Sequence, residues 1–175
     1  MSTRPVALVT GSRRGIGRAI AVELGRAGFD VALIDMVASE ELDQAVAEVE
    51  CAGARAIAVV SDLTDIDSHQ ATLLDIEARF AGPIDCLVNN AGVSVMSHGD
   101  LLDVTPESFD RRIAVNTRGT FFLTQKFAKH LLARTQASAA HHPSVITITS
   151  RMRSPLRRCA VSTAYQRRDC RWPIR

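Results

Sequence analysis

The residues best placed by type and spacing to do chemistry are Thr10-Gly11-Ser12-Arg13-Arg14-Gly15-Ile16-Gly17, which directly follow the apolar run Val6-Ala7-Leu8-Val9 and open a segment of helical apolar spacing. A strand that runs into a glycine-rich turn and then a helix suits an anion. Glycine lets the backbone approach a pyrophosphate with no Cβ in the way, and the helix N-terminus supplies oriented N–H groups and a positive dipole end. Such a turn can also be purely structural. Asp35 gives it a meaning, because it ends the second apolar run about 20 residues further on, where a carboxylate accepts hydrogen bonds from the adenosine ribose hydroxyls of a dinucleotide. A carboxylate there would repel a 2′-phosphate, so NAD is favoured over NADP, while Arg14 beside the turn would tolerate the extra phosphate.

The elements that must position these residues follow from periodicity. Short β-branched runs predict strands at 5–10, 31–35, 54–60, 84–89 and 144–149, and segments with apolar residues three and four apart predict helices at 15–27, 39–51, 67–80, 106–115 and 117–134. Alternation of the two predicts repeated βα units, hence an α/β protein with a doubly wound parallel sheet of the Rossmann type. In the last helix Phe122, Leu123, Phe127, Ala128, Leu131 and Leu132 form one apolar stripe, read as a packing face rather than a ligand box. Ala137 to Pro143 reads as a surface loop, with His141 and His142 solvated rather than bound to metal.

Composition sets the outer bounds. The chain has 175 residues and is 46% hydrophobic, enough for one domain with a buried core. The apolar stretch near the N-terminus is too short for a signal peptide or membrane span, so a cytoplasmic protein without a membrane partner is expected. Four cysteines, Cys51, Cys86, Cys159 and Cys170, stand far apart, suggesting neither a zinc site nor a disulfide framework. They are expected to be reduced and structural. Residues 1–150 carry 13 basic and 18 acidic side chains, a net charge of −5, whereas residues 151–175 carry eight arginines and one aspartate, a net +7. Arginine without lysine, together with two cysteines and the chain's one tryptophan, Trp172, argues against a nucleic-acid arm.

Further motifs carry a resemblance. Asp62-Leu63 follows the third strand, Asn89-Asn90-Ala91-Gly92 follows the fourth, Asn116 lies in Ala114-Val115-Asn116-Thr117-Arg118-Gly119, and Ser150 ends the run Ser144-Val145-Ile146-Thr147-Ile148-Thr149-Ser150. Singly, each could be a cap or a turn. In this order, and with the Thr10–Gly17 turn, they resemble the short-chain dehydrogenase/reductase family over residues 5–150, most closely its 3-ketoacyl-acyl-carrier-protein reductases. The resemblance implies a pyrophosphate turn at Gly11, Ser12, Arg13, Arg14, Gly15, Ile16 and Gly17, and an adenine pocket at Asp62 and Leu63. It implies a nicotinamide-ribose wall at Asn89, Asn90, Ala91 and Gly92, and a proton-relay anchor at Asn116. Ser150 would hydrogen-bond a substrate carbonyl. The reaction implied is hydride transfer between a nicotinamide cofactor and a small ketone or secondary alcohol, a 3-oxoacyl thioester among the candidates, in a homo-oligomer.

The general acid/base does not follow where the family keeps it. Hydride transfer to a carbonyl carbon needs a proton at the oxygen, and the family's tyrosine and lysine would fall at Thr163 and Arg167. Tyr165, the chain's one tyrosine, has Asp169 four residues on, and a carboxylate raises a phenol's pKa when a lowered one is needed. Codons that encode the tail, read one base out of register, can specify Tyr opposite Thr163 and Lys opposite Arg167. A one-base deletion or read error near the Ser150 codon is therefore expected, with 151–175 an unstructured, aberrant tail and the chain inactive. The fold would stop after the fifth strand and leave that strand as an apolar edge of low solubility. A rival reading is a non-catalytic nucleotide-binding or interaction protein that uses the basic tail.

Overall fold

Every apolar run marked as a strand becomes one. The computed structural model describes residues 4–94, 101–134 and 143–149. Strands β1 (Val6–Thr10), β2 (Asp30–Asp35), β3 (Ala56–Val60), β4 (Ile84–Asn89) and β5 (Ser144–Thr147) form one sheet, ordered β3-β2-β1-β4-β5, with all neighbours parallel. Helices α1 (Gly15–Arg26), α2 (Glu40–Cys51), α3 (His69–Phe80), α4 (Pro106–Arg112) and α5 (Thr120–Ala133) connect them. The chain walks outward from β1 to β3, then returns to lay β4 on the other side of β1. This is a doubly wound sheet, whose switch point between β1 and β4 opens a crevice at the strand C-termini.

Side-chain alternation builds a core on each face. In β1, Val6 and Leu8 point to one side, where Leu73, Ile76 and Phe80 of α3 and Leu123 and Phe127 of α5 cover them. Ala7 and Val9 point to the other, against Ala21 of α1 and Leu42, Ala45 and Val49 of α2. With a layer on both faces, β1 and β2 must be apolar nearly throughout, as they are. The α5 stripe narrows on folding: Leu123 and Phe127 are buried and Leu131 packs against the core, but Leu132 is 86% exposed. All of β5 is exposed, Val145 and Ile146 included, as expected of an apolar edge.

Two expectations change. A break in the helix was expected at Asn116, but α4 runs into α5 through a π-helical stretch, Ile113–Gly119. Asn116 does not interrupt the helix because its amide turns outward to a neighbouring loop instead of competing for its own backbone. Of the cysteines read as structural, Cys86 is buried in β4, where burial pushes its thiol pKa up, but Cys51 is exposed at the end of α2. His141, His142, Ser150 and all of 151–175, with Cys159, Cys170, Thr163, Tyr165 and Arg167, lie outside the described residues. Among the described residues no helix is long and apolar enough to cross a membrane.

Candidate functional site

The crevice at the switch point is organised by Thr10, the last residue of β1. Its buried Oγ1 accepts the backbone N–H groups of Asn90 and Ala91, both at 3.0 Å, and donates to the Val88 carbonyl at 3.3 Å. One hydroxyl thus fastens the loop after β4 to the end of β1. The Asn90 side chain completes the clasp, its Nδ2 donating to the Thr10 and Gly11 carbonyls, each at 3.0 Å.

The turn that follows is crowded at Gly11 and Gly17, while Gly15 between them faces open space. Gly11 adopts φ +64°, and a Cβ there would stand 2.8 Å from the Ala91 Cα. At Gly17 a Cβ would overlap the Gly11 carbonyl oxygen and the Asn90 amide nitrogen. Glycine is required at both positions, once for its conformation and twice for its lack of a side chain. Ser12 is buried, and both its backbone N–H and its hydroxyl donate to the Ile34 carbonyl at 3.1 Å, so it moors the turn to β2 rather than presenting its hydroxyl to a ligand. Arg14 and Ile16 are exposed.

The start of α1 is the electropositive end of this arrangement. Its N-cap is Arg14 in extended conformation, with no side-chain cap and no acid in the first turn. Helix α3 also starts without a side-chain cap or a first-turn acid, whereas α2 and α4 are capped by Ser39 and Thr105 and carry acids in the first turn. The first N–H groups of α1 therefore face outward with the dipole uncompensated, as an anionic group requires. A glycine cradle without Cβ atoms, closing onto an uncapped helix start, fits a pyrophosphate.

Asp35 lies at the end of β2 beside this turn. Its carboxylate accepts the Arg13 N–H at 3.3 Å and the Met36 N–H at 2.9 Å, and Arg13 Nε lies 3.5 Å away. The turn and the acid read from the sequence as one site are therefore joined in space. Asp62 is exposed and spends one carboxylate oxygen on the Thr64 N–H at 2.8 Å. Leu63 is buried in the core, so its side chain packs inside the fold. His69, which the spacing of residues did not single out, holds the Leu63 backbone: its Nε2 lies 3.1 Å from the Leu63 carbonyl. A carbonyl only accepts, so Nε2 carries the hydrogen. Burial lowers its pKa, outweighing the upward pull of the Leu63 carbonyl and Asp65.

Asn89 and Asn116 frame the opposite wall. Asn89 Nδ2 donates to Thr124 Oγ1 at 2.8 Å, tying β4 to α5. Asn116 pairs with Val93 at two points, its Oδ1 accepting the Val93 N–H at 2.8 Å and its Nδ2 donating to the Val93 carbonyl at 3.0 Å. Ala91 and Gly92 lie between these anchors, and Gly92 is exposed. The structure thus brings the glycine turn, Asp35, the Asn89–Gly92 loop and Asn116 to one end of the sheet.

The family model for short chain dehydrogenase matches residues 5–165, beyond the expected boundary at 150. A short chain dehydrogenase/reductase, AacuN, of Aspergillus aculeatus is 44% identical over 126 residues, which are 72% of this chain and 47% of that protein. The chain spans about half the length of the curated relatives it matches. Among solved structures, the 3-oxoacyl-[acyl-carrier protein] reductase of Brucella melitensis in complex with NAD has a TM-score of 0.77 and 42% identity, covering 86% of this chain and 57% of its own. A metagenomic short-chain oxidoreductase in complex with NADP has a TM-score of 0.72 and 36% identity, covering 83% and 62%. A TM-score of 0.77 to a solved 3-oxoacyl-[acyl-carrier protein] reductase at 42% identity and a family match over residues 5–165 lead to one assignment: the chain belongs to the short-chain dehydrogenase family.

Proposed function

We propose that this chain binds a nicotinamide dinucleotide, NAD in preference to NADP, in the crevice between β1 and β4. The observation that carries the reading is the cradle itself, in which Gly11 and Gly17 leave no room for a Cβ and the start of α1 is uncapped. Solved relatives in complex with NAD and with NADP support the cofactor class, and the Asp35 carboxylate supports NAD. In this reading Gly11 to Gly17 hold the pyrophosphate, Asp35 the adenosine ribose, Asp62 and the Leu63 backbone the adenine, and Asn89 to Gly92 the nicotinamide ribose. When bound, the cofactor would supply hydride chemistry at a small ketone or secondary alcohol, a 3-oxoacyl thioester being one candidate.

The protein's own part in that chemistry is to hold the carbonyl and move a proton. Ser150 would donate to the carbonyl oxygen, and Asn116, fixed by Val93, would anchor the relay behind it. The tyrosine and lysine of the relay are absent from positions 163 and 167, which carry Thr163 and Arg167. We read the chain as a cofactor binder without turnover, its tail encoded out of register.

Titration of the full chain with NADH, followed by nicotinamide fluorescence, tests the binding step, and oxidation of NADH by a panel of 3-oxoacyl thioesters and simple ketones tests turnover. Saturable binding without turnover is expected. Turnover that Tyr165→Phe abolishes would instead make Tyr165 the proton donor. Sequencing the gene through codons 145–175 tests the frame.

A further inference from the structure

We propose that Glu41, which meets the glycine turn only through the Arg13 side chain, sets the nucleotide preference of this site by holding Arg13 partly off Asp35. The inference rests on the dinucleotide reading above and names the residue that tunes it.

Asp35 is held by the backbone. One of its oxygens accepts the Arg13 N–H and the other the Met36 N–H, so backbone donors fix the carboxylate. What can move is the Arg13 side chain above it. Its Nε stands 3.5 Å from Asp35 Oδ1, long for a hydrogen bond, while one terminal nitrogen donates to Glu41 Oε2 at 2.8 Å. Among the described residues, the buried Arg13 Nε meets no hydrogen-bond acceptor. A guanidinium free to choose would close on Asp35 through two nitrogens, the geometry that suits arginine and a carboxylate. Here Glu41 draws the fork away.

Glu41 is well placed for that work. It stands in the first turn of α2, where the helix dipole favours an anion, on a helix start capped by Ser39. Hydrogen bonds from Arg13 and Ser39 hold its carboxyl below the usual carboxylate range, so it is ionised at neutral pH.

The consequence concerns the ribose 2′ position. With Arg13 shared, Asp35 keeps most of its negative charge, accepts hydrogen bonds from ribose hydroxyls and repels a 2′-phosphate. Without Glu41, Arg13 has two destinations. It closes on Asp35 and neutralises it, or it turns to a 2′-phosphate and pairs with it. Either outcome lowers discrimination against NADP.

The test is a comparison of NADH and NADPH dissociation constants by fluorescence, using the full chain, Glu41→Gln, Glu40→Gln, Arg13→Met, and Arg13→Met with Glu41→Gln. Glu41→Gln is expected to reduce the ratio of the NADPH to the NADH constant by about five- to tenfold at low ionic strength. Glu40→Gln removes the same charge one residue away, where no contact with Arg13 exists among the described residues, and is expected to move the ratio less than about twofold. In the Arg13→Met background, Glu41→Gln is expected to have no further effect. An unmoved ratio in Glu41→Gln, an equal shift in Glu40→Gln, or full persistence of the shift without Arg13 overturns the role of Glu41. A parent chain that binds neither nucleotide overturns the dinucleotide reading, and the inference with it.

Discussion

Asn90 and Thr10 hold each other twice, the Asn90 N–H donating to Thr10 Oγ1 and the Asn90 side-chain amide donating to the Thr10 carbonyl, both at 3.0 Å. The pair locks the end of β1 to the loop after β4 across the switch point, and the same amide reaches the Gly11 carbonyl. Asn90→Ala keeps the first bond and leaves two part-buried carbonyls without their donor. It is expected to cost about 1–3 kcal/mol of stability, read from urea unfolding, and to weaken NADH binding because the turn is no longer held.

Gly17→Ala tests the cradle from the other side. The added methyl has no room against the Gly11 carbonyl and the Asn90 amide, so the turn must shift or the helix must back away. NADH affinity is expected to fall by more than about tenfold, with a loss of about 1–3 kcal/mol in stability. Unchanged affinity would show that the turn is not the pyrophosphate site.

His69 makes stability depend on pH. Burial, aided by Lys126, lowers its pKa, while the Leu63 carbonyl and Asp65 oppose the shift. Between the lowered folded value and the ordinary value of about 6.5, the unfolded chain binds the extra proton, so stability is lost as pH falls below about 6.5. His69→Gln keeps an N–H donor for Leu63 but does not titrate. Its urea midpoint is expected to vary less between pH 7 and pH 5 than that of the parent.

A third anchor joins α3, α5 and β4 far from the crevice. Glu77 accepts the Ile84 N–H at 3.1 Å and His130 Nε2 at 2.6 Å, and pairs with Arg134, which also donates to the Ile84 carbonyl at 3.1 Å. Removing the shared carboxylate strands three donors in a half-buried place. Glu77→Ala is expected to destabilise the chain by about 2–3 kcal/mol while leaving the relative affinity for NADH and NADPH unchanged. Urea unfolding and the two fluorescence titrations check both halves.

The parts of this fold that the sequence made legible are those written in local period and turn chemistry. Val6 to Thr10 could be read as a strand because it is short, β-branched and halted by glycine, and β4 falls on the residues expected of it. Asp35 and the turn were legible together because their spacing follows from one βαβ unit. The pairs that hold the site were not. Thr10 with Asn90 and Arg13 with Glu41 join residues 80 and 28 positions apart, and no local period records which hydroxyl or guanidinium meets which partner. The partner of the Ser12 hydroxyl was not legible for a related reason, since a small polar residue in a glycine turn reads the same whatever its hydroxyl meets, here the Ile34 carbonyl. Asn116 invited a helix break because asparagine competes for nearby backbone, a tendency that its pairing with Val93 removes.

The wide turn at Ile113–Gly119 also sets the angular phase of everything after it. In an α-helix each residue advances about 100° around the axis, so a stretch that fits an extra residue into a turn rotates the following helix by about that amount relative to the one before. Helix α5 points Leu123 and Phe127 at the sheet in the phase this stretch provides. Shortening it by one residue would regularise the helix locally and swing that stripe toward solvent. This wide turn is thus the adjustment by which Asn116 reaches Val93 while Leu123 and Phe127 still find the core.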